Sequence, residues 1–391
     1  MKQPGRLNRV LIAFAVVIIL GGTIGPVTPV MAASRYKTVS TQSIKKTAYH
    51  KKSRRGAIFN KAHTRKVINL TAHPNTTWYA TKRATLKHGK TKGIYLYVKN
   101  HSGHIKGWIW HNYLKKGKAP YVLSKAKAAV AMNAKTGKVV WSKHANTARP
   151  IASVSKIMTL YLTLKKIKGK SSNWNHKIKI TSRGLVSMSR SAAYGGFHFK
   201  LNHKYTVRQL YYAAFLGSSN NAAIALGKWV GGSNAKFIGK MNAQAQAWHL
   251  GRAHFVSASG LENSDLRQFG YRYGKANANQ VSAKDVALIA RHLITAYPRV
   301  LKDGKIGSMK VNGQTCHNYN NLLKGRKYYQ ASLKVDGLKT GYTPLAGYCF
   351  VGTGQKSGKH RVITVVLHDE NEFTETRSLM NHAYGLASMS D

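Results

Sequence analysis

The stretch IASVSKIMTL, Ile151 to Leu160, places a serine and a lysine three residues apart at the start of a predicted helix. Positions i and i+3 share one helix face, and Ile157 and Leu160 continue that face as an apolar stripe. Lys156 is therefore predicted to be partly buried, and burial lowers the pKa of a lysine towards neutrality. A neutral amine beside the Ser153 hydroxyl can accept its proton and make it a nucleophile.

The Ser-x-x-Lys spacing by itself identifies no site, because it recurs in a chain so rich in lysine. The other four matches are Ser34/Lys37, Ser43/Lys46, Ser124/Lys127 and Ser233/Lys236. None of them combines a predicted helix start with an apolar stripe that includes both residues. For Ser153 too, a helix-capping serine followed by a lysine that extends to solvent is an alternative interpretation.

Two further short motifs follow along the chain. Ser218–Asn220 reads Ser-Ser-Asn and lies in a tight predicted loop between two apolar helices, where side chains can project into a cleft. Lys339–Gly341 reads Lys-Thr-Gly and ends a predicted strand. There the glycine would let a substrate backbone lie close to the strand, while the lysine and the threonine offer a positive charge and a hydroxyl. Either motif alone is also typical of an ordinary polar turn.

The charge distribution restricts both the partners and the chemistry. The 391 residues include 64 Lys and Arg but only 10 Asp and Glu, a formal net charge of +54. Such a protein is expected to bind polyanions, which include nucleic acid, anionic lipid and the phosphate-rich polymers of a bacterial wall. No Asp or Glu precedes Glu262. The simplest base near Ser153 is therefore Lys156, unless a carboxylate comes from the later part of the chain.

The N-terminal residues have the order of a secretory signal peptide. A basic MKQPGRLNRV precedes an apolar LIAFAVVIIL, and the small residues of PVMAAS follow. We predict a signal peptide over residues 1–33, cleaved near Ala32 or Ala33, and an uncleaved membrane anchor is the alternative. A secreted, wall-associated protein of Gram-positive type would meet wall polymers, so nucleic acid is not expected as a partner.

Residues 34–55 and 56–118 differ in pattern. The first segment is rich in Lys, Ser, Thr and His with little apolar periodicity and is interpreted as a basic linker. The second holds short alternating runs separated by turn residues, which predicts a small all-β barrel. Its GWIWHNYL run, Gly107 to Leu114, resembles the closing strand of bacterial SH3-like wall-binding modules of the GW type, and the lysines around it favour an anionic wall polymer. Four aromatic residues are either core or polymer-contacting side chains: Trp78, Tyr79, Trp108 and Trp110.

Residues 121–391 predict an α+β domain. A β-hairpin near the start is followed by helical patterns, then by strands that include SLKVDGLKT, AGYCFVGTG and HRVITVVLHD, and finally by a terminal helix. Strands at both ends with helices between them indicate one antiparallel sheet with helices packed on it. Cys316 and Cys349, the two cysteines of the sequence, could form a disulfide outside the cell or remain two buried thiols.

The three motifs occur in order on a helix, a loop and a strand, and this set resembles that of penicillin-binding proteins and class A β-lactamases. The flanking runs SSNNAAIALG, SASGLENS and VDGLKTGYTPLAGYCFVGTG narrow the resemblance to the serine-type D-Ala-D-Ala carboxypeptidases, the low-molecular-mass penicillin-binding proteins. It covers residues 121–391. The resemblance implies the penicillin-binding-protein/β-lactamase-like fold, an antiparallel sheet flanked by helices. The sequence contains no HExxH, paired CxxC, P-loop or dinucleotide fingerprint, so neither a cofactor nor a metal is expected.

The resemblance also implies a role for each motif residue. Ser153 would attack the carbonyl between the two terminal D-alanines of a peptidoglycan stem peptide, with Lys156 as its base and Ser218 relaying a proton to the leaving amine. The implied substrate-binding residues are Asn220, Lys339, Thr340, Gly341 and Tyr342. Backbone N–H groups of Ser153 and Tyr342 would form the oxyanion hole. β-Lactams would acylate the same serine.

The remaining alternatives have less support. A class A β-lactamase would need a glutamate in its deacylation loop, and Glu262 in SGLENS lacks that context. Asn221 stands where relatives often carry an Asp, in line with the general shortage of acids. A wall-binding protein with a lapsed catalytic domain and a secreted polyanion binder are further alternatives, and the intact motif set argues against both.

Overall fold

The computed structural model describes residues 36–53, 55–168 and 170–390. The predicted signal peptide, residues 1–33, lies outside these ranges. The chain divides into two compact units, the first ending at Pro120 and the second beginning at Tyr121. Within the described ranges, no helix is long and apolar enough to cross a membrane.

The first unit is built on one antiparallel sheet of seven strands. They are β1 (Lys37–Lys51), β2 (Ala57–Phe59), β3 (Lys66–Asn69), β4 (Trp78–His88), β5 (Thr91–Lys99), β6 (Lys106–Trp110) and β7 (Leu114–Lys116). Their spatial order is β3-β2-β6-β5-β4-β1-β7. The core includes Ile58, Leu70, Trp78, Val98 and Ile109, all fully buried. The all-β prediction is confirmed, whereas the likeness to SH3 modules stays a prediction.

Strand β1 corrects the interpretation of residues 34–55 as a linker. It pairs along β4 from Lys37, opposite Lys87, to Tyr49, opposite Trp78. Its first seven side chains are all exposed, so its sequence lacks the apolar alternation by which a half-buried strand is recognised. Backbone pairing with β4 forms the strand without that pattern.

The four aromatic candidates of this unit divide between core and surface. Trp78 and Trp108 are buried, and Tyr79 is half-buried. Trp110, by contrast, is 37% exposed. The first two tryptophans are therefore core side chains, and Trp110 is the candidate most accessible to a ligand.

Lysine stands directly opposite lysine at several positions of this sheet. Such cross-strand pairs are Lys37–Lys87, Lys87–Lys92 and Lys99–Lys106. Like charges opposite each other destabilise an antiparallel pair of strands. The sequence supplies no Asp or Glu before Glu262 to offset them.

The second unit is organised around a five-stranded antiparallel sheet. Its strands are β8 (Ala128–Asn133), β9 (Val139–Lys143), β17 (Val335–Thr343), β18 (Gly347–Gly354) and β19 (Val362–Asp369), in the order β17-β18-β19-β8-β9. Short strands are β10 (Ala148–Pro150), β11 (Lys177–Lys179), β12 (Lys204–Thr206), β13 (Ala253–His254), β14 (Gln280–Ser282), β15 (Ser308–Val311) and β16 (Gln314–His317). Strand β17 therefore lies at an edge of the central sheet.

Helices pack on both faces of that sheet. They are α1 (Lys156–Lys168), α2 (Arg183–Arg190), α3 (Val207–Phe215), α4 (Asn220–Gly231), α5 (Asn234–Ala247), α6 (Asn263–Leu266), α7 (Ala283–Ala296), α8 (Arg299–Asp303) and α9 (Glu372–Tyr384). Phe350 and Val366 pack with α9, whereas Val351 and Val365 point to the other face and join the larger core with α1 and α7. This alternation follows the two-residue period of a strand. The predicted α+β architecture is confirmed.

Sequence patterns locate the long elements better than the short ones. The predicted helix at Ser282–Pro298 corresponds to α7, and the Ser282 hydroxyl accepts from the Asp285 N–H as its cap. Helix α2 and the hairpin β15–β16 were not predicted. Cys316 and Cys349 are buried and free, so the interpretation as two thiols is the correct one. Burial raises the pKa of Cys316 to about 11.

Candidate active site

Ser153 lies in a 3₁₀ turn, Ala152–Ser155, that leads directly into α1. Ala152 has a φ of +45°, in the left-handed region that non-glycine residues seldom adopt. The chain therefore turns sharply just before Ser153, whose side chain is half-buried. Lys156, the first residue of α1, is completely buried. The predicted placement of this pair at a helix start, with the lysine inside, is confirmed.

The Lys156 amine is held by three oxygen atoms. Its Nζ lies 2.6 Å from Ser153 Oγ, 2.7 Å from Asn220 Oδ1 and 2.8 Å from the Ser259 carbonyl oxygen. The amide and carbonyl oxygens only accept hydrogen bonds, whereas the hydroxyl can also donate. An ammonium that donates to all three oxygens satisfies this arrangement, and so does a neutral amine that donates twice and accepts from the Ser153 hydroxyl.

Burial favours the neutral form of this amine. Removal from water, and then the positive charge of Lys339, hold the pKa of Lys156 well below its ordinary value. Within the described ranges, Lys156 makes no ion pair that would oppose this shift. The geometry thus places the Lys156 amine within proton-transfer distance of Ser153, and burial favours its neutral form.

Ser218 faces a second buried lysine. It lies between α3 and α4 with a φ of +53°, and its hydroxyl accepts from Lys339 Nζ at 2.9 Å. The same amine also reaches the Thr340 carbonyl oxygen at 3.1 Å. Burial lowers the pKa of Lys339 to about 7. Near neutral pH this lysine can thus gain or lose its charge.

Gly341 lets edge strand β17 approach the serine turn. A Cβ atom at this position would lie 3.0 Å from the Ile151 carbonyl oxygen and from the backbone nitrogens of Ser153 and Val154. All three atoms belong to backbone, which cannot swing aside as a flexible side chain can. A glycine therefore permits this close contact, and any larger residue would force the strand and the turn apart by a few tenths of an ångström.

The motif residues meet at a cleft of about 400 Å³. Those that line it are Ser153, Ser218, Asn220, Thr340, Gly341 and Tyr342. From within the protein, the buried Lys156 contacts Ser153 and Asn220, and the buried Lys339 contacts Ser218 and Thr340. A separate cavity of about 470 Å³ is lined partly by Lys165, Lys166 and Lys240 and contains no motif residue. All eight predicted site residues thus lie together, at or directly beneath the first cleft.

Both ends of the Asn220 amide are hydrogen-bonded to the protein. Its Oδ1 accepts from Lys156, and its Nδ2 donates to the Tyr194 carbonyl oxygen at 2.9 Å. In this arrangement the amide positions the lysine. The neighbouring Asn221 donates to the Phe197 carbonyl oxygen and accepts from the Ser219 hydroxyl, so the amide serves as a local structural link where relatives often carry an acid.

Several residues of the site were missed by sequence reasoning. The Ser259 carbonyl binds Lys156, and Gly260, with a φ of +90°, allows this segment to lie against Ala152, where any side chain would collide with the carbonyl. The sequence does contain a signal for this segment, because SASGLENS is one of the runs that carry the family resemblance, but the run alone does not indicate a contact with Lys156. Additional cleft-lining residues include Ala192, Tyr319, Asn321, Tyr348, Glu372 and Phe373.

Glu262 does not take part in the cleft lining. Its carboxylate accepts from the Thr343 hydroxyl at 2.6 Å, and its side chain is buried. Burial raises the pKa of Glu262. This carboxylate is a structural partner of β17, which gives no support to a role in deacylation.

Comparison with known proteins identifies the group to which this arrangement is similar. Residues 115–371 match the family model of D-alanyl-D-alanine carboxypeptidase, peptidase S11. The chain is 30% identical to D-alanyl-D-alanine carboxypeptidase DacF of Bacillus subtilis over 249 residues, 62% of this chain and 57% of DacF. It is 31% identical to the D-alanyl-D-alanine carboxypeptidase of Streptomyces sp. strain K15, over 66% of this chain and 86% of that protein. The match to DacF thus spans little more than half of that relative.

Solved structures agree with the sequence matches. The peptidoglycan synthesis regulatory factor PBP3 of Streptococcus pneumoniae superposes with a TM-score of 0.62 at 35% identity, covering 67% of this chain and 74% of that one. Penicillin-binding protein D2 of Listeria monocytogenes, in its cefotaxime-bound form, gives a TM-score of 0.54 at 30% identity, covering 68% of this chain and 99% of that one. The fold of the second unit is the one implied by the three motifs.

Proposed function

Because the chain belongs to the peptidase S11 family of D-alanyl-D-alanine carboxypeptidases, we propose that it removes the terminal D-alanine of peptidoglycan stem peptides through an acyl-enzyme on Ser153. One observation carries this proposal: the buried Lys156 amine lies 2.6 Å from the Ser153 hydroxyl, beside a cleft that Ser218 and Thr340 also line. A nucleophile, its base and a second hydroxyl are thus within reach of one bound peptide.

Acylation is the first step of the proposed reaction. The Ser153 oxygen attacks the carbonyl carbon between the two D-alanines while its proton passes to Lys156. The carbonyl oxygen becomes an oxyanion, which backbone N–H groups of Ser153 and Tyr342 stabilise. When the C–N bond breaks, Ser218 relays the proton to the leaving nitrogen. Free D-alanine departs, and the shortened peptide remains as an ester on Ser153.

Deacylation completes the cycle. Water attacks the ester carbonyl, Lys156 accepts a proton from that water, and the proton returns to the Ser153 oxygen as the ester bond breaks. During acylation, Lys339 and the Thr340 hydroxyl bind the terminal carboxylate of the substrate, which then leaves with the free D-alanine. Asn220 keeps the Lys156 amine directed at the serine. β-Lactams would form the corresponding ester with Ser153 but resist the attack by water.

A fluorescent penicillin and a D-Ala-D-Ala peptide test the proposal together. We expect the purified protein to form a covalent fluorescent band and to release D-alanine, and we expect Ser153→Ala to do neither. If the wild type is not labelled, the proposed enzyme activity is refuted, and a wall-binding protein with an inactive catalytic domain becomes the better description. Label that persists in Ser153→Ala would refute the choice of nucleophile.

We also propose that the protein is exported and that its first unit binds an anionic wall polymer. The signal-like sequence of residues 1–33 supports export. The surface of the first unit supports polymer binding, since a cavity of about 360 Å³ is lined in part by Lys45, Arg83 and His111. Burial, and then the charges of Arg83 and Lys52, lower the pKa of His111, which indicates a positive field there.

A further inference from the structure

One carboxylate lines the proposed catalytic cleft of this strongly cationic protein. Of the ten acids in the sequence, four lie within residues 369–375, and Glu372 is the one among them that lines the cleft with Ser153. Its side chain is half-buried. A negative charge at this position is the exception in this chain and calls for a physical reason.

The other three acids of this segment have structural partners. Glu375 accepts from the backbone N–H groups of Ser124, Lys125 and Ala126. Glu370 pairs with Lys125, and Asp369 accepts from backbone N–H groups of its own turn. Glu372, in contrast, interacts with its own backbone N–H, and no hydrogen bond or ion pair to another residue is found for it within the described part of the chain. Its carboxylate is therefore available to a ligand.

Two exposed aromatic rings accompany this carboxylate. Tyr342 and Tyr348 are 55% and 43% exposed, and their ring centroids lie 4.5 Å apart. Both line the same cleft as Glu372. Aromatic faces attract cations, and a carboxylate that lines the same cleft adds a charge-assisted acceptor. This combination fits a primary ammonium group far better than it fits an anion or an apolar group.

The position of Tyr342, Tyr348 and Glu372 along the cleft from Ser153 indicates which part of a substrate would reach them. An extended peptide can pair with an exposed sheet edge, as β17 provides. With its terminal carboxylate at Lys339 and its scissile carbonyl at Ser153, the peptide would run along β17 past Tyr342. The residue that precedes the two D-alanines would then lie beside the tyrosine pair and Glu372.

We infer that Glu372 is a specificity-determining residue that binds the protonated side-chain amine of the residue preceding D-Ala-D-Ala. This inference rests on the proposed function. The preferred substrate class is a stem peptide in which that amine is free, and a stem whose amine has been acylated by cross-linking would be a poorer substrate. The site would thereby distinguish stems whose side-chain amine is still free from stems whose amine has served as the acceptor in a cross-link.

Two synthetic peptides that differ in one acetyl group test this inference. They are Nα-acetyl-L-Lys-D-Ala-D-Ala, with a free side-chain amine, and its Nα,Nε-diacetyl form. We expect kcat/KM of the wild type to be about fivefold higher for the free amine, and this preference to fall close to one in Glu372→Gln. Glu370→Gln is the matched control on the same turn, since Glu370 pairs with Lys125 and does not line the cleft. It should retain the wild-type preference.

A binding measurement separates failure of this inference from failure of the proposed function. Each peptide should slow labelling by fluorescent penicillin, and the free-amine peptide should do so at about fivefold lower concentration in wild type but not in Glu372→Gln. If the protein hydrolyses neither peptide, the proposed carboxypeptidase activity is refuted. Slower penicillin labelling that depends on the free amine would still support the role of Glu372 in that case. An amine preference that is absent from wild type, or unchanged in Glu372→Gln, overturns the inference. Should Glu372→Gln fail a thermal unfolding check, Glu372→Asp, which keeps the charge on a shorter side chain, should show a reduced preference.

Discussion

At the scale of single residues, the protonation of Lys156 governs the chemistry we propose. Lys156→Arg keeps a positive charge but cannot lose it, because a guanidinium stays protonated. We expect the rate of penicillin acylation to fall by about 1,000-fold, within the range that general-base catalysis supplies. Stopped-flow or gel-based labelling would measure it.

A control for this substitution lies on the same helix. Lys165 is exposed and bonds to Gln244, so Lys165→Arg should acylate within about twofold of wild type, as surface substitutions usually do. Equal rates in Lys156→Arg and wild type would contradict the assignment of Lys156 as the base.

Lys339 gives the reaction a pH dependence of known sign. Burial places the pKa of Lys339 at about 7, so this amine loses the charge that would bind the substrate carboxylate as pH rises through that value. We expect kcat/KM for a D-Ala-D-Ala peptide to decline above about pH 7, on the alkaline side of a profile whose rising side reflects deprotonation of Lys156. Lys339→Arg stays charged, so its decline should move to higher pH. A decline that is identical in wild type and Lys339→Arg would assign the titration to another group.

Sequence reasoning located the residues of the site but not the contacts between them. The burial of Lys156 could be predicted because its helical spacing from Ile157 and Leu160 is local. Its contacts with Asn220 and the Ser259 carbonyl join segments 64 and 103 residues away, and no local pattern reports such distances. Glu372 was missed for the same reason, since its place in the cleft depends on how α9 packs on the sheet.

At the scale of elements, the contact between β17 and the serine turn depends on Gly341. In Gly341→Ala the added methyl group would press on three backbone atoms at 3.0 Å, so the strand must move away from Ser153. We expect penicillin acylation to slow by at least about tenfold, because small displacements of reacting groups are costly. Labelling kinetics together with thermal unfolding would separate this effect from a loss of folding.

Gly239 provides the opposite case. It lies within α5, and a Cβ atom there would meet nothing within 4 Å. Gly239→Ala should therefore leave acylation unchanged and raise the free energy of unfolding by about 0.5–1 kcal/mol, since alanine favours a helix over glycine. An acylation loss of similar size in both variants would show that the effect at Gly341 is not local.

Element patterns were most informative where one face is buried. The cap and apolar spacing of α7 predict that helix, and the stretches SLKVDGLKT, AGYCFVGTG and HRVITVVLHD predict β17 to β19. Strand β1 was missed because exposed side chains on both faces carry no periodicity, although backbone pairing with β4 forms it. The hydrogen bonds of a strand leave little trace in the sequence when its side chains are solvated.

At the scale of the whole molecule, the two units have separate cores and separate proposed tasks. Deletion of residues 34–118 should therefore leave penicillin acylation intact but weaken binding to isolated bacterial walls. Binding of the full-length protein should also fall as salt rises, because exposed charges are screened over about 8–10 Å near physiological ionic strength. Co-sedimentation with walls at several salt concentrations would measure both effects. Wall binding that survives the deletion, or that ignores salt, would contradict tethering by the first unit.

The lysine pairs across the sheet of the first unit should make its stability depend on a bound polyanion. A chain of phosphates lying over Lys37, Lys87 and Lys92, which face each other across three strands, would supply the counter-charge that the sequence omits. A ligand that binds only the folded form raises its stability in proportion to RT ln(1 + [L]/Kd). Polyphosphate should thus raise the melting temperature of this unit more than sodium chloride of equal ionic strength. If the first unit binds a wall polymer as proposed, its folded form would be more stable on the wall than free in solution.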